Sequence, residues 1–293
     1  MARQRRTAKA HDQGATGPGL VRTALHPGAF AVENAHASAA IVAHVPHSST
    51  VIPMEVRARL LVDDESLDAE LLRLTDWHTD ALYAWASHLG AARLVNGLSR
   101  LVVDPERFPD DAEEPMARVG QGAVYTRTTD GRVLRAPSPA ERQRLIERYF
   151  RPYHGALTSL VGTALERFGR CLVLDCHSFA SMPLPSEPDQ APNRPDFCLG
   201  TDAFHTPPSL VDALLSSLRR LGYSVEVNRP FAGALVPLSW YLRDPRVAAL
   251  MLETRRDLYC DEASGHATSS FGAVAADIEQ AVTEALRATG WVG

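Results

Sequence analysis

A single-domain α/β fold, a mostly parallel mixed sheet flanked by helices, is predicted by three observations. Strand-length apolar runs such as "AAIVAHV" and "RCLVLDCHSF" alternate with longer segments of helical periodicity. These runs are apolar almost throughout, as strands covered on both faces are. A chain of 293 residues is also long enough for one large α/β domain with a substantial core.

Taken in order, the elements are these. Residues 1–38 begin "MARQRRTAKAHDQGATGPG", a basic stretch containing Arg5-Arg6. No apolar segment follows it, so it reads as a flexible tail, and the domain is placed at 39–293. "AAIVAHV" is a buried strand. "SLDAELLRLTDWHTDALYAWASHL" has apolar residues at helical spacing after a Ser66 cap with Glu70 nearby. "ARLVNG" and "SRLVVD" read as strands. In "GAVYTRTTDGRVLR", strand formers flank Asp130-Gly131, the signal of a hairpin that projects from the body. "SPAERQRLIERYFRPYHGALTSLVGTALERFG" is a long helix opening at Ser138 or Pro139 and closing near Gly169. The strand "RCLVLDCHSF" and the proline-rich loop "SMPLPSEPDQAPNRPD" follow. After them come strand "FCLGTD", helix "PPSLVDALLSSLRRLG", strands "YSVEVNRPF" and "AALMLETRRDL", and a closing helix "FGAVAADIEQAVTEALRAT".

Composition narrows the function classes. Hydrophobic residues make up 45% and charged residues 22%, as in soluble enzymes. A net charge of −5 argues against a general nucleic-acid surface. No apolar run approaches the ~18 residues of a membrane helix, and the expected location is the cytoplasm. Cys171, Cys176, Cys198 and Cys260 lack zinc-knuckle spacing and read as free buried thiols.

In mostly parallel sheets ligands gather at the carboxyl ends of strands. Three strand-like runs end there in polar groups: "IVAHVPHSS" at His47, "LVLDCHSF" at His177 and "LMLETRRD" at Glu253. "SRLVVDPERFPDD" adds Arg100, Asp104 and Arg107 around a fourth. Two histidines and a carboxylate so placed suit a divalent metal and a general base. Singly, each has a plainer reading, as a hydrogen-bonded structural histidine or a surface ion pair. Four strand ends together favour a site.

The stretches "VPHSSTVIP", "TDWHTDALY", "SRLVVDPERFPDD", "GQGAVYTRTTDGRVLR", "RPYHGAL", "DCHSF", "PDFCLGTDAFHTP", "NRPFAGALVP" and "ETRRDLY" span roughly residues 44–262. With them the chain resembles the N-formylglutamate amidohydrolase family. The resemblance implies a zinc-exopeptidase-like fold and hydrolysis of N-formyl-L-glutamate to L-glutamate and formate, the last step of one histidine-degradation route. The order of groups also resembles that of zinc carboxypeptidases and acylases. That likeness implies His47 and His177 as ligands of Zn²⁺ or another divalent transition metal, Glu253 as base and Arg107 as a carboxylate clamp. Those relatives carry a glutamate three residues after the first histidine, where this chain has Thr50. The third ligand therefore comes from elsewhere, and "LTDWHTD" offers it. His78 is favoured because imidazole is the commoner zinc ligand, with Asp76 as its orienter or as the alternative ligand. Arg100, or else Arg107, is expected to stabilise the oxyanion, and Asn228 and Arg229 to hold the second substrate carboxylate. The expected partner is a small N-acyl amino acid, with neither nucleic acid nor membrane involved. Two rival readings are a deacylase acting on a different N-acyl amino acid and a non-catalytic dicarboxylate-binding protein of the same fold.

Overall fold

The structure, a computed structural model, describes residues 22–24 and 29–293. Its strands are β1 (Arg22–Ala24), β2 (Phe30–Glu33), β3 (Ile41–Val45), β4 (Val51–Pro53), β5 (Ala92–Asn96), β6 (Cys171–Phe179), β7 (Phe197–Gly200), β8 (Val225–Val227), β9 (Val247–Arg255), β10 (Cys260–Asp261) and β11 (His266–Ala267). Its α-helices are α1 (Met54–Arg57), α2 (Asp64–Leu74), α3 (Thr79–Leu82), α4 (Pro139–Leu145), α5 (Arg151–Phe168), α6 (Pro208–Arg220) and α7 (Phe271–Ala288).

Seven strands form the main sheet in the order β2-β5-β3-β6-β9-β7-β8. The central strands β5, β3, β6 and β9 are mutually parallel, while β2 and β7 run antiparallel to their inner neighbours. Every residue of β3 and β6 is buried, which explains the unbroken apolar runs. Period-two alternation assigns the faces. Ile41, Ala43 and Val45 pack with Leu214 of α6 and Ile278 of α7, whereas Val42, Val173 and Ala249 pack with Leu157 and Val161 of α5. His44, Asp175, His177 and Glu253 continue the α5-facing rows. From β3 the chain goes to β5 on one side and then to β6 on the other. This reversal opens a crevice at the carboxyl ends of β3 and β6.

Most predicted elements are present, and the four cysteines are free and buried. Five expectations are corrected. The sheet starts before residue 39, because β2 pairs with β5 along its length; most of the basic tail lies outside the described residues. The helix predicted through "LTDWHTD" ends at Leu74, and its N-cap is Asp63, which accepts from the Ser66 amide at 2.8 Å. "SRLVVD" is a turn, closed by the Val102 amide on Ser99 O at 2.9 Å, with Leu101 and Val102 buried in a separate apolar cluster. A short buried apolar run carries no period that separates turn from strand. The Asp130-Gly131 hairpin folds back onto α2, because the buried Glu70 accepts from the Thr129 amide at 2.6 Å and its hydroxyl at 2.8 Å. The long helix runs from a Ser138–Glu141 capping box to Gly169, but one π-turn, Ile146–Phe150, divides it.

Candidate metal centre and substrate pocket

Three segments bring side chains into the crevice. His47 stands two residues beyond β3, after Pro46 has ended the strand. His177 is on β6, directly beside Glu253 on β9 in the parallel register. Asp76 comes from the break between α2 and α3. There the Asp76 amide donates to His47 O at 3.0 Å, and the Trp77 indole N–H donates to Leu72 O at 3.0 Å, closing the end of α2. His78 follows with φ 61°, a left-handed conformation in which histidine is among the tolerated residues.

The atoms that converge are His47 Nδ1, Asp76 Oδ2 and His177 Nδ1. Ligand atoms of these three residues all lie within 4.8 Å of one another. Asp76 Oδ2 is 3.2 Å from His177 Nδ1 and 3.8 Å from His47 Nδ1. The outer nitrogen of each ring meets a buried carboxylate: His47 Nε2 lies 2.7 Å from Asp104 Oδ1, and His177 Nε2 lies 3.0 Å from Asp175 Oδ1. A carboxylate behind each imidazole fixes the tautomer that turns the Nδ1 lone pair inward. Two imidazoles and one carboxylate form a donor set suited to zinc, so the residues fit the metal that the sequence implies.

Charge is concentrated here. Burial opposes ionisation of Asp76, but Arg100, His177 and His47 together hold its carboxyl far below the usual range. Burial likewise opposes a charge on His177, yet Asp175 and Asp76 raise its pKa well above that of an ordinary imidazole. Glu253 behaves oppositely: burial lifts it to about 8, against the pull of His177. Its Oε2 is buried without a hydrogen-bond partner.

Arg100 donates to His47 Nδ1 and lies 3.6 Å from Asp76 Oδ1. Arg107 lies 3.7 Å from Asp104 Oδ2, and its Nε lacks a hydrogen-bond partner. Arg100, Arg107, Glu253 and the three converging residues line one cavity of about 550 Å³. The other three predicted site residues are not brought into it. His78 Nε2 bonds Gly265 O at 2.8 Å, outside the cluster, and Asp76, the alternative, is the residue that joins it. Arg229 pairs with Glu226 at 2.6 Å and Asp189 at 3.3 Å, and Asn228 bonds Thr201; neither lines the cavity.

Several residues gain roles that the sequence reading did not give them. His44, whose register partner on β6 is Asp175, sits 2.8 Å from Asp175 Oδ1 and 3.0 Å from Glu106 Oε1. Its pKa rises to about 9, because these two acids outweigh burial. Tyr125 donates to Asp104 Oδ2 at 2.8 Å, and Arg256 places Nη2 3.6 Å from Asp76 Oδ1. Asp175 was legible in principle, since a residue two positions before His177 on a strand shares its face. His44 and Arg256 left no local signal.

A mixed α/β sheet with this cluster and a buried acid at its strand ends defines an amidohydrolase-type protein with a candidate metal centre. The sequence model of the N-formylglutamate amidohydrolase family matches residues 39–260, and the chain belongs to that family. It is 33% identical over 226 residues to an N-formylglutamate deformylase of Pseudomonas aeruginosa, covering 74% of this chain and 81% of that one. It is 32% identical over 224 residues to the deformylase of Pseudomonas putida, covering 74% and 80%. Among solved structures, the N-formylglutamate amidohydrolase from Ralstonia eutropha JMP134 superposes with a TM-score of 0.75 at 30% identity, covering 90% of this chain and 99% of that one. A gene product of Agrobacterium tumefaciens, 19% identical with a TM-score of 0.67, shares the fold.

Proposed function

We propose that the protein is a metal-dependent amidohydrolase that cleaves N-formyl-L-glutamate to L-glutamate and formate. The observation carrying this reading is the convergence of His47 Nδ1, Asp76 Oδ2 and His177 Nδ1 beside Glu253, whose buried Oε2 has no hydrogen-bond partner. The relatives' names supply the substrate. A zinc ion, or another divalent transition metal, held by these three residues would acidify water and polarise the formyl carbonyl.

The chain's own groups do the rest. Glu253 takes a proton from the attacking water and passes it to the amine nitrogen as the C–N bond breaks and formate departs. Burial lifts its pKa to about 8, into the range where one carboxyl can both accept and release a proton near neutral pH. Arg100, beside His47 and Asp76, would donate to the carbonyl oxygen as it gains charge. Arg107, with an unsatisfied Nε, takes a substrate carboxylate through its planar fork. Asp104 and Asp175 keep both histidines in register.

We place the reaction in histidine degradation and in the cytoplasm. Buried free thiols fit a reducing compartment, and no described helix is long and apolar enough to cross a membrane. The test is formate release from N-formyl-L-glutamate, before and after chelation and again after zinc is restored. Chelator-sensitive, zinc-restored turnover is expected. Turnover that survives complete chelation would remove the metal from the mechanism, and no turnover of any N-formyl amino acid would remove the amidohydrolase reading.

A further inference from the structure

The cavity beside the metal cluster is larger and more apolar than N-formylglutamate requires. Its volume of about 550 Å³ is that of a site enclosing a drug-sized ligand. Two aromatic pairs build the wall: Phe108 with Tyr241, centroids 6.3 Å apart, and Phe179 with Phe231, 5.9 Å apart. Leu184 and the half-exposed Leu238 extend it.

This wall is fastened to the catalytic groups. The Leu235 amide donates to Asp175 Oδ2 at 3.1 Å, which ties loop 230–241 to the carboxylate behind His177. Cys198 Sγ bonds Phe231 O at 3.1 Å. The Leu242 amide donates to His205 Nε2 at 2.9 Å, and the His205 ring stacks on Tyr241. The loop crosses β7 so closely that a Cβ on Gly200 would stand 2.3 Å from Gly233 O. A wall held at four points is preformed.

Cations are distributed differently. N-formylglutamate has two carboxylates, and Arg229, the expected partner of the second, is outside the cavity. Four arginines line it, and each already faces an acid: Arg73 with Glu70 at 3.4 Å, Arg100 with Asp76 at 3.6 Å, Arg256 with Asp76 at 3.6 Å and Arg107 with Asp104 at 3.7 Å. Arg107 meets its acid at the longest of these distances, and that Asp104 also serves His47 and Tyr125. One carboxylate is thus well provided for. A second group reaching the aromatic wall gains more if it is apolar, because a carboxylate there loses hydration without a free partner.

Resting on the amidohydrolase reading above, we propose a second substrate class for the same site: N-formyl amino acids with one carboxylate, held by Arg107, and a bulky apolar side chain seated against the Phe179–Phe231 and Phe108–Tyr241 walls. The experiment compares kcat/KM for N-formyl-L-glutamate, N-formyl-L-phenylalanine and N-formylglycine on the zinc-loaded protein, the last serving as a reference without a side chain. N-formyl-L-phenylalanine is expected to exceed N-formylglycine at least tenfold. Leu238→Asp, at a half-exposed position where folding is not at stake, is expected to cut that ratio several-fold. If N-formyl-L-glutamate is cleaved and the phenylalanine compound does no better than the glycine one, the second class is overturned while the amidohydrolase reading stands. If no formyl compound is cleaved, both fail together.

Discussion

The site has two halves that differ in how they are held. His47, His177 and Glu253 are carried on or just beyond the strands of a parallel sheet, where register alone sets His177 beside Glu253. Asp76, Arg100, Arg107 and the apolar wall are carried by turns and loops and are placed by hydrogen bonds. In the proposed mechanism the strand-borne half contributes ligands and a base, the part of the chemistry that tolerates least displacement. The loop-borne half would complete the metal set, and it shapes the pocket.

The largest expected effect lies within the strand-borne half. Glu253→Gln keeps the shape and removes the base, so kcat should fall by about 10³-fold or more while bound zinc, measured by elemental analysis, stays stoichiometric. His177→Ala should remove metal and activity together. A Glu253→Gln enzyme retaining a tenth of its activity would transfer the base role to another group.

Next in size is the test of where the two halves meet. Asp76→Ala should weaken zinc binding by at least about 100-fold, whereas His78→Ala should change it by less than about threefold. Competition with a chromophoric chelator measures both. The reverse pattern would restore His78 as the ligand.

This pair also shows what was legible in the sequence. His47, His177 and Glu253 could be read because a buried parallel strand is an apolar run, and the polar group that closes the run marks its carboxyl end. Asp76 against His78 could not be decided. The apolar spacing on both sides of "TDWHTD" continues as if one helix ran through, and the break depends on distant partners, His47 O for the Asp76 amide and Gly265 O for the His78 ring. Arg229 failed for a similar reason. It stands in a proline-bounded loop, where sequence gives residue type and no direction, and Glu226 and Asp189 draw it away from the pocket.

Arg107 and Arg229 give a smaller contrast. Arg107→Lys keeps the charge but loses the bidentate fork, and KM for N-formyl-L-glutamate should rise roughly 10- to 100-fold with kcat less affected. Arg229→Ala should leave KM within about twofold, since its contacts are with Glu226, Asp189 and Asn193 O. A large KM effect at Arg229 would mean that loop 228–241 rearranges on binding.

The smallest effect concerns a residue that joins the two halves. His154, on α5, lies 2.9 Å through Nε2 from Pro105 O and stacks on Phe150 at 4.0 Å. It thereby anchors the turn that carries Glu106 and Arg107. Burial lowers its pKa from 6.5 to about 4, so the folded state holds the ring neutral. The unfolded chain then binds the extra proton between these two values. Its contribution to stability is therefore complete above pH 6.5 and is lost as pH falls towards 4, amounting to about 2 kcal/mol between pH 7 and pH 5. Urea unfolding of the wild type and of His154→Phe at both pH values isolates it, because the other acid-titrating groups are common to the two proteins. The wild type should lose about 2 kcal/mol more than the variant on going to pH 5. Equal losses would mean that the ring accepts a proton in place, and that the Pro105 contact holds the loop without excluding charge.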